Sequence, residues 1–462
     1  MYKKLLAVIL IILAIDPLAV LADDGLTVTI DGVRVEFANQ TPVISDGRTL
    51  VPLRGVFELL GFTVDWDTNA AIATFTRADY TVQITVGSSV FFTNGTSHVL
   101  EAPAQIINGR TMLPLRAVLE SIGYGVTWSE TARTTAITTP RRVSTVAGTG
   151  AHGYLDGTAA QFNLPANIFS DGTGTIFVAD TYNNLIRRIT TDGNVTTHSG
   201  EIQDNDEYGF PLGRYRGGAL SQALFNRPTG GAVAPDGSMF IADSENHIIR
   251  TIIGNTVSTF ASETDFRLPT ALVLAPNGSI YFTDTLNHVI RRIDSNGNTT
   301  TVAGIPGEYG FRDGNNALFN SPMGIAIAQN GAIFVADTGN HLIRVIENGN
   351  VRTLAGTLQT SPDFDNEPIG GFADGFNAMF DLPTGLAIWN ETLIIADSAN
   401  HRIRAILPTG ETVTLAGTGY PDDTDGAALS AAFQLPRGVY VLGDLLYIAD
   451  TGNNQIRVMP LN

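Results

Sequence analysis

One ten-residue string, met six times, sets the limits on what this chain can fold into. VADTGNHLIR (335–344) recurs as VADTYNNLIR (178–187), IADSENHIIR (241–250), FTDTLNHVIR (282–291), IADSANHRIR (395–404) and IADTGNNQIR (448–457). An Asp, an Asn, a His and an Arg so close together have the makings of an acid/base or metal site, but a feature present six times needs a reason that holds six times. Each copy opens on F-x-x-P, at Phe162, Phe225, Phe266, Phe319, Phe380 and Phe433. In the fourth copy GIAIAQ (324–329), AIFVAD (332–337), LIRVIE (342–347) and VRTLAG (351–356) are four short β-rich runs, with Asn-Gly turns after the first and third. Such runs make an up-and-down four-stranded sheet. Six units spaced by 41 to 63 residues predict an all-β six-bladed β-propeller over 141–462, because one blade cannot bury both its faces and a ring can. The last unit stops at QIRVMPLN after its third strand, and VSTVAG (143–148) stands unpaired before the first. Residues 143–148 are therefore expected to supply the missing outer strand and close the ring.

The first 140 residues follow a different period. Lys3 and Lys4, an apolar run interrupted by Asp16, and Val20-Leu21-Ala22 read as a secretory signal over 1–22. A retained membrane anchor is the alternative, and no later stretch approaches the length of a span. Residues 23–140 hold a duplication at an offset of 62: SDGRTLVPLRGVFELLGFTVDW ends at Trp66 and INGRTMLPLRAVLESIGYGVTW at Trp128. In each copy a turn (Asp46-Gly47, Asn108-Gly109) leads through a short strand to a Pro at a helix start. Leu53, Val56, Phe57 and Leu60 then share one helical face, as do Leu115, Val118, Leu119 and Ile122, and Gly61 or Gly123 can supply a left-handed cap. A small duplicated α+β module is expected to precede the propeller.

The paired G-R-T-x-x-P-L-R and G-[FY]-x-V-x-W motifs resemble the copper amine oxidase N-terminal domain-like, or stalk, module that opens many exported proteins of Gram-positive bacteria. The [VI]-A-D-[TS]-x-N-[HN]-x-I-R strings, the T-x-A-G outer strands and F-x-x-P resemble the NHL repeat family of six-bladed propellers. Blade three departs from that pattern, with Phe282-Thr283 for the usual apolar-Ala pair. The first resemblance implies a secreted or cell-surface setting. The second implies the fold but little about function, since such propellers bind peptides, proteins, nucleic acid or glycans, and a few are lyases or hydrolases. Copper is not expected despite the module's name: it needs imidazole or thiolate ligands, and 23–140 offers His98 and Met112 with no Cys. Arg48, Arg54, Arg110 and Arg116 recur in equivalent places; salt bridges within each half explain them, and a face that holds cell-wall polymer is the functional alternative.

Charge narrows the partners. Beyond residue 22 the chain has 25 arginines, no lysine, and 44 Asp and Glu, a net charge of −19, which repels phosphate backbones and anionic lipid heads. Nucleic acid is not expected as a partner, nor is a membrane span after the signal; a glycan, peptide or protein at the cell surface is. The absence of cysteine suits bacterial export.

Within the propeller the strings read as joinery. Asp180, Asp243, Asp284, Asp337, Asp397 and Asp450 are placed to accept turn amides, each string's Arg can pair with them, and His247, His288, His341 and His401 are replaced by Asn184 and Asn454, which favours capping over metal binding. The first strands, which line the axis, contain no His, Arg, Lys or Glu, so no catalytic residue is assigned. The candidate binding residues lie at the channel mouth where the copies disagree: Asn226, Arg227, Arg267, Asn320, Asp381 and Arg437. Arg227 and Arg267 could grip a carboxylate or sugar hydroxyls, or pair with loop acids. Long acidic arms precede blades two and five, and a third cluster precedes blade six; calcium is the cation that would suit Asp204, Asp206, Asp363, Asp365, Asp423 and Asp425, against the plain reading of solvated loops. The expected function is a non-catalytic exported binding protein, with a hydrolase or lyase acting at the channel mouth as the alternative.

Overall fold

The computed structural model describes residues 25–37, 40–45, 48–77, 80–261, 265–361 and 367–462. The segment 1–22, the Asp46-Gly47 turn and two candidate calcium ligands, Asp363 and Asp365, lie outside the described residues. The chain divides into two compact units, Met1–Pro140 and Arg141–Asn462.

In the first unit the duplication is visible as structure. Val43–Ser45 and Arg48–Pro52 form a hairpin that runs into helix Leu53–Leu59 and strands Thr63–Asp67 and Ile72–Arg77; Gln105–Ile107, Arg110–Pro114, Leu115–Glu120, Gly125–Ser129 and Thr134–Thr138 repeat that order. Each helix starts directly after a proline, whose missing N–H costs nothing there, and ends near a left-handed glycine, Gly61 at φ 80° and Gly123 at φ 85°. Leu53, Val56 and Phe57 of one helix and Leu115, Val118 and Leu119 of the other are buried, as the apolar spacing requires. The two hairpins join through their inner strands, antiparallel, with Val51 opposite Leu113, and Pro52 and Leu50 opposite Met112 and Pro114. That register maps onto itself under the 62-residue offset, so the halves are related by a local two-fold centred on Val51 and Leu113.

The second unit is a propeller. Its first strands, Asn167–Ser170, Pro228–Val233, Pro269–Leu274, Gly324–Ile327, Pro383–Trp389 and Val439–Leu442, each neighbour the next, and the last returns to the first. Each leads a four-stranded antiparallel sheet, and the sheets of the second and last blades gain an outer two-residue strand, Gly218–Ala219 and Gly426–Ala427. The last blade takes its fourth strand from the beginning of the unit: Arg142–Ala147 pairs antiparallel with Gln455–Pro460, Ser144 opposite Val458. The closure expected of 143–148 is therefore present.

The apolar cores lie between blades. Phe162, Ile168, Val178 and Ile189 of the first blade pack with Ala449 and Ile456 of the last, and Phe169 and Phe177 on the opposite face pack with Phe225, Ile241 and Ile252 of the second. In every blade the pairing of the third and fourth strands shifts register next to the string's arginine. Such a bulge twists the strand and re-aims a side chain, here the guanidinium.

Candidate functional site

Each D-[TS]-x-N-[HN] segment is one turn of 3-10 helix between the second and third strands, ended by a left-handed residue. In blade four Asp337 Oδ1 accepts the backbone N–H of Asn320 at 2.7 Å, while Oδ2 accepts from Asn340 Nδ2 at 2.8 Å and Arg344 Nη1 at 2.6 Å. The same trio meets Asp180, Asp243, Asp397 and Asp450. At Asp284 the arginine donates through Nε instead. Arg187, Arg250, Arg344, Arg404 and Arg457 are fully buried. Four of those five reach a second carboxylate, Asp156, Asp313, Asp374 or Asp425, as Arg291 reaches Asp265. In the second blade Gly217 stands where the others have that acid, and Arg250 rests instead on the carbonyls of Arg216 and Leu224 and over the ring of Tyr215 at 4.8 Å. Burial pushes the carboxyls of Asp180, Asp337, Asp397 and Asp450 up to about 6 and raises those of Asp243 and Asp284, with the arginine, amide and carboxamide donors pulling the other way. Desolvation of the charge outweighs its partners.

The second residue of the segment crosses to the neighbouring blade. Thr181 donates its hydroxyl to the carbonyl of Pro228, Ser244 to Pro269, Thr285 to Pro322, Thr338 to Pro383, Ser398 to Pro436 and Thr451 to Pro165, at 2.6 to 2.8 Å. Sequence reading assigned these hydroxyls nothing; the signal was the unbroken Ser/Thr at that position. The fifth residue also crosses. His247, His288, His341 and His401 accept through Nδ1 the N–H of Leu268, Ser321, Leu382 and Leu435 at 3.0 to 3.1 Å, and Asn184 and Asn454 do the same through Oδ1 for Arg227 and Leu164. Histidine and asparagine interchange because either offers one acceptor there. The residue whose N–H is accepted is itself left-handed in every blade, with φ from 47° to 56°, a conformation that costs a side chain such as leucine. Burial lowers the pKa of His288 and His401, which keeps Nδ1 free to accept.

The six candidate mouth residues do not converge. The Arg227 guanidinium lies over the Tyr182 ring at 4.5 Å and pairs with Glu245 at 3.4 Å, the loop-acid reading of that residue. Asn226 sits against Gly213 of the first long arm, with no room for a Cβ between them. Asn320 donates to the carbonyl of Gly339, and Asp381 stands 3.3 Å from His341 Nδ1. Arg267 is exposed, with no acid beside it among the described residues. Arg437 alone of the six borders the axial cavity, a channel of roughly 360 Å³ whose mouth is ringed by the residue following each proline: Ala166, Thr229, Thr270, Met323, Thr384 and Arg437. Thr229, Thr270 and Thr384 already donate to the carbonyls of Thr270, Met323 and Arg437. Further down the lining is aliphatic apart from Asn167, Ser170, Phe169 and Tyr440, so Arg437 is its one charged residue. The post-proline ring, not the pair between Phe and Pro, is where the copies differ toward the axis.

The described members of the acidic clusters have protein partners of their own. Asp425 is the second partner of buried Arg457, at 2.5 Å, and accepts the N–H of Thr145 at 2.9 Å; calcium there would compete with a buried guanidinium for one of its two counter-charges. Asp204 pairs with Arg214 at 2.6 Å, and Asp206 accepts the amides of Tyr208 and Phe210 in its own turn. Asp423 is exposed beside Asp422, whose Oδ1 accepts its N–H. Among the described residues no three His, Cys, Asp or Glu side chains are grouped to hold a metal ion, and no helix is long and apolar enough to cross a membrane.

Comparison with known proteins matches this architecture. Residues 29–137 match the model of the copper amine oxidase N-terminal domain, and residues 319–346, 380–406 and 433–459 match the NHL repeat. NHL repeat-containing protein 2 of Bos taurus is 29% identical over 323 residues, 58% of this chain and 43% of that protein. The chloroplastic protein SUPPRESSOR OF QUENCHING 1 of Arabidopsis thaliana is 33% identical over 169 residues, 34% of this chain and 16% of its own length. The chain thus spans under half the length of these curated relatives. Among solved structures, a protein of unknown function from Bacteroides thetaiotaomicron superimposes with a TM-score of 0.54 at 17% identity, covering 86% of this chain and 99% of its own. An auxiliary nutrient binding protein from Bacteroides ovatus gives 0.53 at 16%, covering 86% and 97%. These relatives come from an animal, a plant and Bacteroides, and a Gram-positive source gains no support from them. The chain is therefore similar to the copper amine oxidase N-terminal domain over 29–137, and three blades of its propeller match the NHL repeat.

Proposed function

We propose that the protein is an exported, non-catalytic binding protein whose propeller presents its channel mouth to a cell-surface glycan, peptide or protein that bears an anionic group. The observation that carries this reading is Arg437, the one charge on the wall of an otherwise apolar or hydroxyl-lined channel whose threonines are already hydrogen-bonded. An unpaired guanidinium at an apolar mouth suits a carboxylate carried on an apolar or sugar body. The other titratable group in the lining is Tyr440, whose hydroxyl burial pushes above its usual value; no carboxylate or imidazole stands there to make an acid/base pair with Arg437, which weighs against the hydrolase or lyase reading. A binding role accords with fold neighbours described as auxiliary nutrient binding proteins.

Glycan and peptide arrays probed with the full chain test the proposal. Hits that weaken at least ~10-fold on Arg437→Ala support the channel mouth. Hits that survive both Arg437→Ala and Arg267→Ala move the site to the arms. A stoichiometric transition metal in the purified protein would favour the enzyme reading instead.

A further inference from the structure

The duplicated motifs of the first unit assemble two equivalent grooves, and neither is composed of one half alone. In one, of about 590 Å³, Pro52, Arg54, Val64 and Trp66 from the first half face Arg110 and Thr111 from the second. In the other, of about 700 Å³, Pro114, Arg116, Val126 and Trp128 from the second half face Arg48 and Thr49 from the first. Every one of these residues maps onto its counterpart by the offset of 62. The cause is the two-fold at Val51 and Leu113: it carries the G-R-T arginine of each hairpin across to the other half's tryptophan. Both volumes lie in the range of small-ligand clefts.

What lines the grooves is unlike the rest of the unit. Five of the seven arginines between residues 25 and 140 border them, with the carboxylates of Asp65 and Glu130 alongside. Arg54 and Arg116 are held to Glu58 at 3.6 Å and Glu120 at 4.0 Å by one-turn pairs on their own helices, and Arg48 is paired with Glu101. These surface pairs are weak and leave donors to spare. The chain has three tryptophans, and two stand here. Trp66 is 37% exposed and Trp128 is half-buried. Among the described residues no protein group accepts from either indole N–H, whereas the third, Trp389, donates to Asp444 at 3.1 Å. An indole face open to solvent, a free indole N–H, planar guanidinium donors and carboxylate acceptors are complementary to a pyranose ring. The apolar C–H face of such a ring stacks on the aromatic, and its hydroxyls both donate and accept.

We propose that the two grooves are equivalent saccharide subsites, each stacking one pyranose on its tryptophan, so that a polysaccharide is held by the module at two places while the propeller faces its own ligand. With guanidinium and carboxylate groups interspersed in each groove, the recognition is of hydroxyls and ring face, not of net charge, and binding should change little between low and moderate salt.

The test uses the full chain, with soluble chitotetraose and cellotetraose in calorimetry and insoluble chitin and cellulose in pull-down. The expected result is two sites per chain for at least one tetraose. Trp66→Ala and Trp128→Ala each reduce this to one site, and the double variant abolishes it. Retention on the corresponding polymer should fall at least ~10-fold in either single variant, since one foothold removes the gain of linked binding. Trp66→Phe and Trp128→Phe, which keep a ring and the fold, should bind with weakened affinity and unchanged stoichiometry. Arg437→Ala should leave all of this intact, which separates failure here from failure of the channel-mouth reading. No binding of either tetraose, one site in the unaltered chain, or two sites in the double variant would overturn the proposal.

Discussion

Asp337 distributes its two oxygens among an amide, a carboxamide and a guanidinium, and that is the work of all six of its kind. Asp337→Asn would leave buried Arg344 with Asp313 as its remaining counter-charge; since an uncompensated buried ion costs about 3–5 kcal/mol, denaturant unfolding should show a loss that approaches but does not exceed that size. Thr338→Val removes one inter-blade bond and strands the carbonyl of Pro383, for about 1–3 kcal/mol. The histidines allow a finer test. His288 and His401 have native pKa values lowered by burial, so the unfolded chain takes up their protons first. Their contribution is present above an unfolded pKa near 6.5 and is lost as pH falls below it toward the lower native value. The raised carboxyls act with the opposite sign: their native pKa of about 6 exceeds the unfolded one, so their contribution is full below the unfolded value and lost as pH rises through about 6. Replacing His288 and His401 by Asn, which serves in the first and last blades, should leave the melting temperature at pH 7.5 nearly unchanged and raise it at pH 5 relative to the unaltered chain. A lower melting temperature than the unaltered chain at pH 5 in that double variant would contradict the capping account.

At the scale of the element, the first strands close round the axis only because the second residue after the proline is so often glycine. A Cβ on Gly324 would lie 1.7 Å from the carbonyl oxygen of Thr384, one on Gly385 2.2 Å from that of Arg437, and one on Gly230 2.3 Å from that of Thr270. None of these three has a positive φ, so the requirement is room against the neighbouring backbone and not conformational freedom. Gly324→Ala should therefore destabilise by about 1–3 kcal/mol or more, as overpacking against an atom that cannot yield. The same change at Gly331, a left-handed turn glycine with open space around its missing Cβ, should cost about 1 kcal/mol for its backbone alone. Melting curves of the two variants rank them, and the opposite order would show that the inner strands can relax.

For the whole propeller, the joint that matters most is the one between its ends. Arg142–Ala147 completes the last blade, and Thr451 reaches across to the carbonyl of Pro165. Deleting 143–148 exposes the edge of Gln455–Pro460 and uncovers Ile456, which packs with Phe162 and Ile168 of the first blade. The melting temperature should fall and the variant should aggregate, as an open hydrophobic edge does. An unchanged melting temperature would mean the ring does not depend on that closure.

Periodicity and local chemistry carried most of this structure. The alternation of apolar residues, the Asn-Gly turns and the two repeat lengths depend on neighbours in sequence, so the string VADTGNHLIR could be read as a strand and turn, 143–148 as a closing strand, and Pro52 and Gly61 as the ends of a helix. The interchange of His with Asn was enough to identify a shared acceptor. What the sequence by itself could not determine was anything set by the partner a group meets across space. That Thr338 bonds the next blade's proline carbonyl, that Asp425 is paired with Arg457, that Arg437 and not Arg227 borders the axial cavity, and that each tryptophan of the duplicated module shares a groove with the other half's arginine all follow from curvature and register. Those are decided only when whole sheets pack, because a few degrees of twist or one residue of register determines which surface a side chain reaches.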